Sequence, residues 1–218
     1  MHHNYHTQLE KLMKKFLTLG CLVEDRVSKA CSAFHSHDLT DIEMVIRSDY
    51  EIDEMEVEIE EECLKILALY QPVARDLRFI IALIKINSEV ERIGDYAVQI
   101  ASKVKFIYEH TSKVFPMDYT EMSEKVIAML KMSLDAFIDK DVELAHRIFF
   151  LDDEVDILRN KAYDIIKEQL QIASEHAGCM LNGYLVARHL ERIADRATNI
   201  AEEVIYMVEG GIVRGAHN

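Results

Sequence analysis

The sequence predicts an all-α fold: two tandem antiparallel three-helix bundles, residues 1–114 and 115–218, related by a pseudo-twofold repeat. Three observations carry that reading. An eleven-residue phrase occurs twice, one hundred positions apart: Glu91-Arg-Ile-Gly-Asp95-Tyr-Ala-Val-Gln-Ile-Ala101 returns as Glu191-Arg-Ile-Ala-Asp195-Arg-Ala-Thr-Asn-Ile-Ala201, with seven of eleven residues identical. An internal repeat fixes architecture ahead of any local signal. The chain has only seven glycines and two prolines in 218 residues, and a sheet protein needs both for its turns. Apolar residues also recur at three-and-four spacing over long stretches, the period of an amphipathic helix.

Each element follows from that period. Leu9, Leu12, Met13, Phe16, Val23, Val27, Ala30 and Phe34 form the first helical stripe, and His2, His3 and His6 before it read as a frayed terminus. The pattern breaks around His35 to Leu39. Thr40-Asp-Ile-Glu43 is then a capping-box signature that opens a second helix, running to about Tyr70. Pro72 falls just inside a third helix, where its missing N–H costs nothing. That helix continues to about Thr111 on Leu77, Ile80, Ile84, Val90, Ile93, Ile100 and Val104. The boundary between halves lies at Phe115 to Thr120, which contains Pro116. The scheme then repeats: a helix near 120–138, a corner at Asp139 to Asp141, a helix near 141–170, and a break around Ala173. A last helix ends at Gly210-Gly211, a natural stop.

The bulk composition excludes several function classes. A net charge of −14 argues against a nucleic-acid surface, which needs Lys and Arg to displace phosphate counterions. It suits a cation, or a partner with a basic face. No apolar run approaches the ~20 residues that a membrane span requires, and no signal-like segment opens the chain. Cys21, Cys31, Cys63 and Cys179 show no C-x-x-C spacing and read as buried thiols of a cytoplasmic protein.

The informative polar residues are acids standing where the core pattern expects apolar side chains. Asp49 and Glu56 fall in phase with Val45, Ile52, Ile59 and Cys63; Asp152 and Arg159 fall in phase with Ile148, Val155, Ala162 and Ile166. Asp53 and Asp156 follow four residues after Asp49 and Asp152. Each half therefore holds a D-x-x-x-D pair and an E-x-x-x-D pair, and a spacing of four places both acids on one helix face. Asp53 lies 18 residues before the corner near Gln71 and Glu91 lies 20 after it. At ~1.5 Å per residue these are roughly 27 and 30 Å from one turn, and so at one level of an antiparallel hairpin. Asp156 and Glu191 are level about Ala173 in the same way. Each bundle can thus assemble Asp49, Asp53, Glu91 and Asp95, or Asp152, Asp156, Glu191 and Asp195, and pairing across the halves is equally open.

Crowded carboxylates resist joint ionisation unless a cation or protons neutralise them. An all-oxygen set suits hard cations such as Mg, Mn, Ca or ferric iron, and Gln99 and Asn199 stand where they can add amide oxygens. The plainer reading is that Arg92, Arg188 and Arg192 satisfy the acids as salt bridges.

Gln71-Pro-Val-Ala-Arg-Asp-Leu-Arg78, followed by the two E-R-I-x-D phrases, resembles the PhoU family over nearly the whole chain. The resemblance implies two three-helix repeats carrying multinuclear iron or zinc clusters, with Asp49, Asp53, Glu91, Asp95, Asp152, Asp156, Glu191 and Asp195 as ligands. It also implies a negative regulator of phosphate uptake and of the phosphate-starvation response. Such a regulator acts between the ATPase of a phosphate ABC transporter and a membrane sensor histidine kinase, and a homodimer is compatible with it. Arg75-Asp76-Leu77-Arg78 has no clear counterpart in the second half, so its role is confined to the first; on the plainer view Arg75 and Arg78 simply pair with nearby acids. No phosphate loop, G-x-S-x-G or H-E-x-x-H motif is present, so no enzyme is expected. The competing reading is a carboxylate-bridged di-iron oxidase. That class carries two E-x-x-H motifs on core helices, and this chain offers one, Glu143-Leu-Ala-His146.

Overall fold

The computed structural model describes residues 2–36, 39–47, 49–110, 115, 117–172 and 176–211, leaving out the side chains of residues 2, 3, 35, 36 and 49. The described elements are helices: α1 (His2–Ser36), α2 (Leu39–Arg47), α3 (Asp49–Tyr70), α4 (Ala74–His110), α5 (Thr120–Asp139), α6 (Val142–Ile172) and α7 (Ala177–Glu209). The expected second helix is described as α2 and α3, with Ser48 between them outside the described residues. The break expected around Ala173 also lies outside them.

Three differences from the sequence reading have local causes. The N-terminus is not frayed: α1 is helical from His2, and Tyr5 is buried edge-on against Tyr70, ring centroids 5.5 Å apart. Pro72 precedes its helix instead of opening it. Gln71 closes α3 in the left-handed region (φ 45), donating its N–H to Leu67 O, and Ala74 begins α4 at φ 50. Among the cysteines, Cys21 is exposed; Cys31, Cys63 and Cys179 are buried thiols.

The other corners obey their residues. Lys140 takes the left-handed conformation (φ 56) that ends α5, with its N–H on Ala136 O. Asp141 then caps α6 by accepting the Leu144 N–H at 3.0 Å. Gly210 (φ 77) ends α7, a conformation that costs glycine little.

The centre of the molecule is the antiparallel pair α4 and α7. Lys85 meets Glu203 at 2.8 Å, Glu89 meets Arg196 at 3.1 Å, and Tyr96 stacks on His189 with centroids 5.8 Å apart. The last two contacts establish the pseudo-twofold. Tyr96 and Arg196 are repeat partners, as are Glu89 and His189, so the symmetry exchanges one contact for the other. Around this pair α1 and α3 complete the first bundle, and α5 and α6 the second. Phe16 packs edge-on to Phe137 at 5.2 Å, which joins α1 to α5. One continuous apolar core results, running through Leu12, Leu19, Val27, Ile52, Ile86, Ile93, Val126, Leu130, Val155, Ile193 and Ile200. No helix among the described residues is long and apolar enough to cross a membrane.

Candidate metal centre

Two contacts set α3 against α4 at the level of the acids. Asn87, fully buried, donates its amide N–H to the Glu56 carbonyl at 2.9 Å. Further along α4, Gly94 lets Ile52 approach the α4 backbone. A Cβ built on Gly94 would lie 2.7 Å from Ile52 Cδ1. Asp53, next in sequence, is thereby held beside Glu91 and Asp95. In the second half the corresponding residues are the smaller Val155 for Ile52 and Ala194 for Gly94, both buried.

That exchange predicts a sign reversal. Gly94→Ala gains about 1 kcal/mol of helix propensity but overpacks Ile52 at a cost of about 1–3 kcal/mol, so it should destabilise the chain. In an Ile52→Val background the clashing methyl is gone, and Gly94→Ala should stabilise. Urea midpoints of the four proteins test this; a Gly94→Ala effect of the same sign in both backgrounds would refute it.

Asp53, Glu91 and Asp95 each offer a carboxylate oxygen within 4.8 Å of the others. Ligands at 2.0–2.6 Å from one hard cation stand at most roughly 5 Å apart, so the three fit a shared ion. Asp53 and Asp95 are exposed and Glu91 half-buried, so the set opens toward solvent. Burial pushes the Glu91 carboxyl up to about 7, with the Asp95, Asp53 and Glu56 carboxylates adding to it and Arg92 opposing it. Neither Asp53 nor Glu91 has an ion pair among the described residues. Arg92 is directed at Glu89, 3.5 Å away. Glu56 thus joins the first set electrostatically, a role its in-phase position signals.

The acids of the second set do not converge as the first three do, and arginines stand among them. Glu191 is bound by Arg188, whose Nη1 lies 2.7 and 2.9 Å from its two oxygens. Arg159 reaches Asp156 at 3.5 Å and Glu191 at 3.6 Å, and Arg192 reaches Asp195 at 3.9 Å. Burial and Asp195 raise the Glu191 carboxyl, against Arg188 and Arg159. Burial raises Asp195 against Arg192 and Arg196. These guanidinium groups stand where a cation would, so this set does not fit a metal as it is arranged.

Of the remaining candidates, the Asp49 side chain lies outside the described residues and Asp152 is half-buried on α6. Asn199 donates its amide N–H to Glu89 at 3.1 Å across the α4–α7 seam. Arg78 pairs with no acid among the described residues and donates to the Met207 carbonyl at 3.3 Å, tying the start of α4 to the end of α7. Glu143 and His146 are both exposed near the start of α6, roughly 20 and 15 Å along the helix from Asp156 at ~1.5 Å per residue. The E-x-x-H motif therefore lies apart from both acid sets.

The raised Glu91 carboxyl has a definite linkage. Its folded value of about 7 exceeds the ordinary carboxylate value of 4.5, so the fold favours the protonated form. The stability this supplies is complete below pH 4.5 and is lost as pH rises through 7. In metal-free protein, Glu91→Gln should therefore gain melting temperature relative to wild type as pH is raised from about 5 to about 8. A difference that stays flat across that range would contradict the assignment.

Comparison with known proteins agrees with this architecture. The PhoU domain matches residues 16–104 and 119–204, one copy in each half. The chain is 35% identical over 210 residues, covering 94% of both chains, to a phosphate-specific transport system accessory protein PhoU homolog of Clostridium acetobutylicum. It is 34% identical to the PhoU accessory protein of Escherichia coli over 212 residues, covering 94% of this chain and 86% of that one. The crystal structure of PhoU from Pseudomonas aeruginosa superposes with a TM-score of 0.90 at 35% identity, covering 95% of this chain and all of that one. With the domain duplicated as the helices are, and identity sustained from end to end, the protein belongs to the PhoU family.

Proposed function

We propose that this chain is a metal-binding regulatory adaptor of phosphate homeostasis. In this reading it works in the cytoplasm without catalysing a reaction and lowers phosphate uptake and the phosphate-starvation response. It does so through contacts with the ATPase of a phosphate ABC transporter and with a membrane sensor histidine kinase. The accessory role that its relatives' names carry supports the transport assignment. The convergence of Asp53, Glu91 and Asp95 on one point, each offering a carboxylate oxygen within 4.8 Å of the others, carries the metal assignment. Iron or zinc is the expected ion, and Mg, Mn or Ca also suits an oxygen donor set. The residues' own contribution is simple. Asp53 from α3 and Glu91 and Asp95 from α4 repel one another, and a shared cation cancels that repulsion and ties the two helices together.

The test is elemental analysis of protein purified without chelator or a metal-affinity step. Wild type should retain metal, and Asp53→Asn/Asp95→Asn should lose it. Chelation should lower wild-type stability by about 3 kcal/mol if free metal stood at roughly 100 times its dissociation constant, and should leave the variant unchanged. Metal-free wild-type protein, indifferent to added Fe, Zn, Mn or Mg, would remove metal from this reading.

A further inference from the structure

The repeat matches Asp49, Asp53, Glu91 and Asp95 with Asp152, Asp156, Glu191 and Asp195, but not the groups beside them. Along the stripe that α3 shares with α6, Asp49, Ile52, Glu56 and Ile59 correspond to Asp152, Val155, Arg159 and Ala162. Along α4 and α7, Ser88 corresponds to Arg188. An acid and a hydroxyl in the first half have thus become two guanidinium groups in the second. Both point inward at the acids. Arg188 occupies both oxygens of Glu191, and Arg159 spans Asp156 and Glu191. The Glu191 side chain is only 9% exposed, and Arg159 Nε is buried without a hydrogen-bond partner.

Charge decides what each set can bind. In the first, Asp53, Glu56, Glu91 and Asp95 face one another, while the nearest arginine, Arg92, is turned to Glu89. In the second, Asp156, Glu191 and Asp195 each have a guanidinium group of Arg159, Arg188 or Arg192 at 3.9 Å or less. An entering cation there would have to break charge-assisted hydrogen bonds and leave a guanidinium partly buried beside it, which is costly.

We infer that this chain carries a single metal centre, in the first repeat, and that Arg159 and Arg188 are built-in counterions that exclude metal from the second. The first half is then the metal-responsive one. The second is a strut whose α6–α7 contact holds whatever the metal supply. This deepens the metal assignment proposed above and rests on it for the first half alone.

The experiment compares metal content, by elemental analysis after loading with ferrous iron or zinc, in four proteins: wild type, D53N/D95N, D156N/D195N and R159E/R188S. D53N/D95N should abolish binding and D156N/D195N should leave it at the wild-type level. R159E/R188S places the first-half residues in the second half and should bind about twice the wild-type complement. A D156N/D195N protein that loses half its metal, or a folded R159E/R188S protein that gains none, would overturn the inference. If R159E/R188S does not fold, the D156N/D195N comparison still decides. A wild type without metal would instead sink the first-repeat assignment; R159E/R188S would then test the arginines alone, by whether it acquires metal that wild type does not.

Discussion

Arg188→Ala is expected to destabilise the second bundle by about 3 kcal/mol, the low end of what removing the partner of a buried charge costs. The loss exceeds that of a surface salt bridge because of Glu191. That carboxylate is buried, sits beside Asp195, and has both oxygens on Arg188. Without Arg188 it keeps Arg159, but at 3.6 Å, which sets the figure near the lower bound. Most of the cost is the stranded charge and not the lost contact. Glu191→Gln in the Arg188→Ala background should therefore recover a large part of it, although Glu191→Gln alone destabilises. Denaturant midpoints of the two single variants and the double variant decide. Additive losses would mean that Glu191 is already solvated, and that the guanidinium groups are ornaments of an exposed surface.

The architecture is legible in the sequence because it rests on signals that repeat. The duplicated phrase, the helical period and the scarcity of glycine and proline all point one way. Counting rise from the corner near Gln71 places Asp53 level with Glu91, and the two carboxylates do converge. What sequence does not assign is the direction of each arginine. Arg92 and Arg192 hold the same place in the repeated phrase, yet Arg92 meets Glu89 and Arg192 meets Asp195. The reason is that Glu89 is replaced by His189 in the second half, so the partner available one turn away differs. Arg159 stands out as a cation in a core stripe, but its role depends on Glu191, which lies on another helix and thirty-two positions away. Ion-pair choice is a tertiary property, and local spacing does not encode it. The same holds at Ala74, whose positive φ is imposed by the α3–α4 corner and not by its own preference.

The connection between the halves has its own point of high sensitivity. Gly183, in the second turn of α7, reads in sequence only as an isolated glycine inside a helix, where it costs about 1 kcal/mol against alanine. The structure supplies the reason. A Cβ at this position would lie 2.0 Å from Phe115 Cζ and 2.6 Å from Cε1, a separation no small shift relieves. The Phe115 ring is locked in turn. It packs edge-on to Phe34, which packs edge-on to Tyr119 at 4.7 Å, and the Tyr119 hydroxyl donates to the Gly183 carbonyl at 2.6 Å. This cluster pins the end of α1 and the start of the second half to α7. Gly183→Ala should displace the ring and lower stability by about 2 kcal/mol, the upper part of the overpacking range less the gain in helix propensity. Phe115→Ala should also destabilise, by opening the space the ring fills. The double variant should cost little more than Phe115→Ala alone, because the methyl added at position 183 then has no ring to meet and partly fills that space. A double variant whose loss equals the two single losses together would show that Gly183 is required for something other than the approach of Phe115.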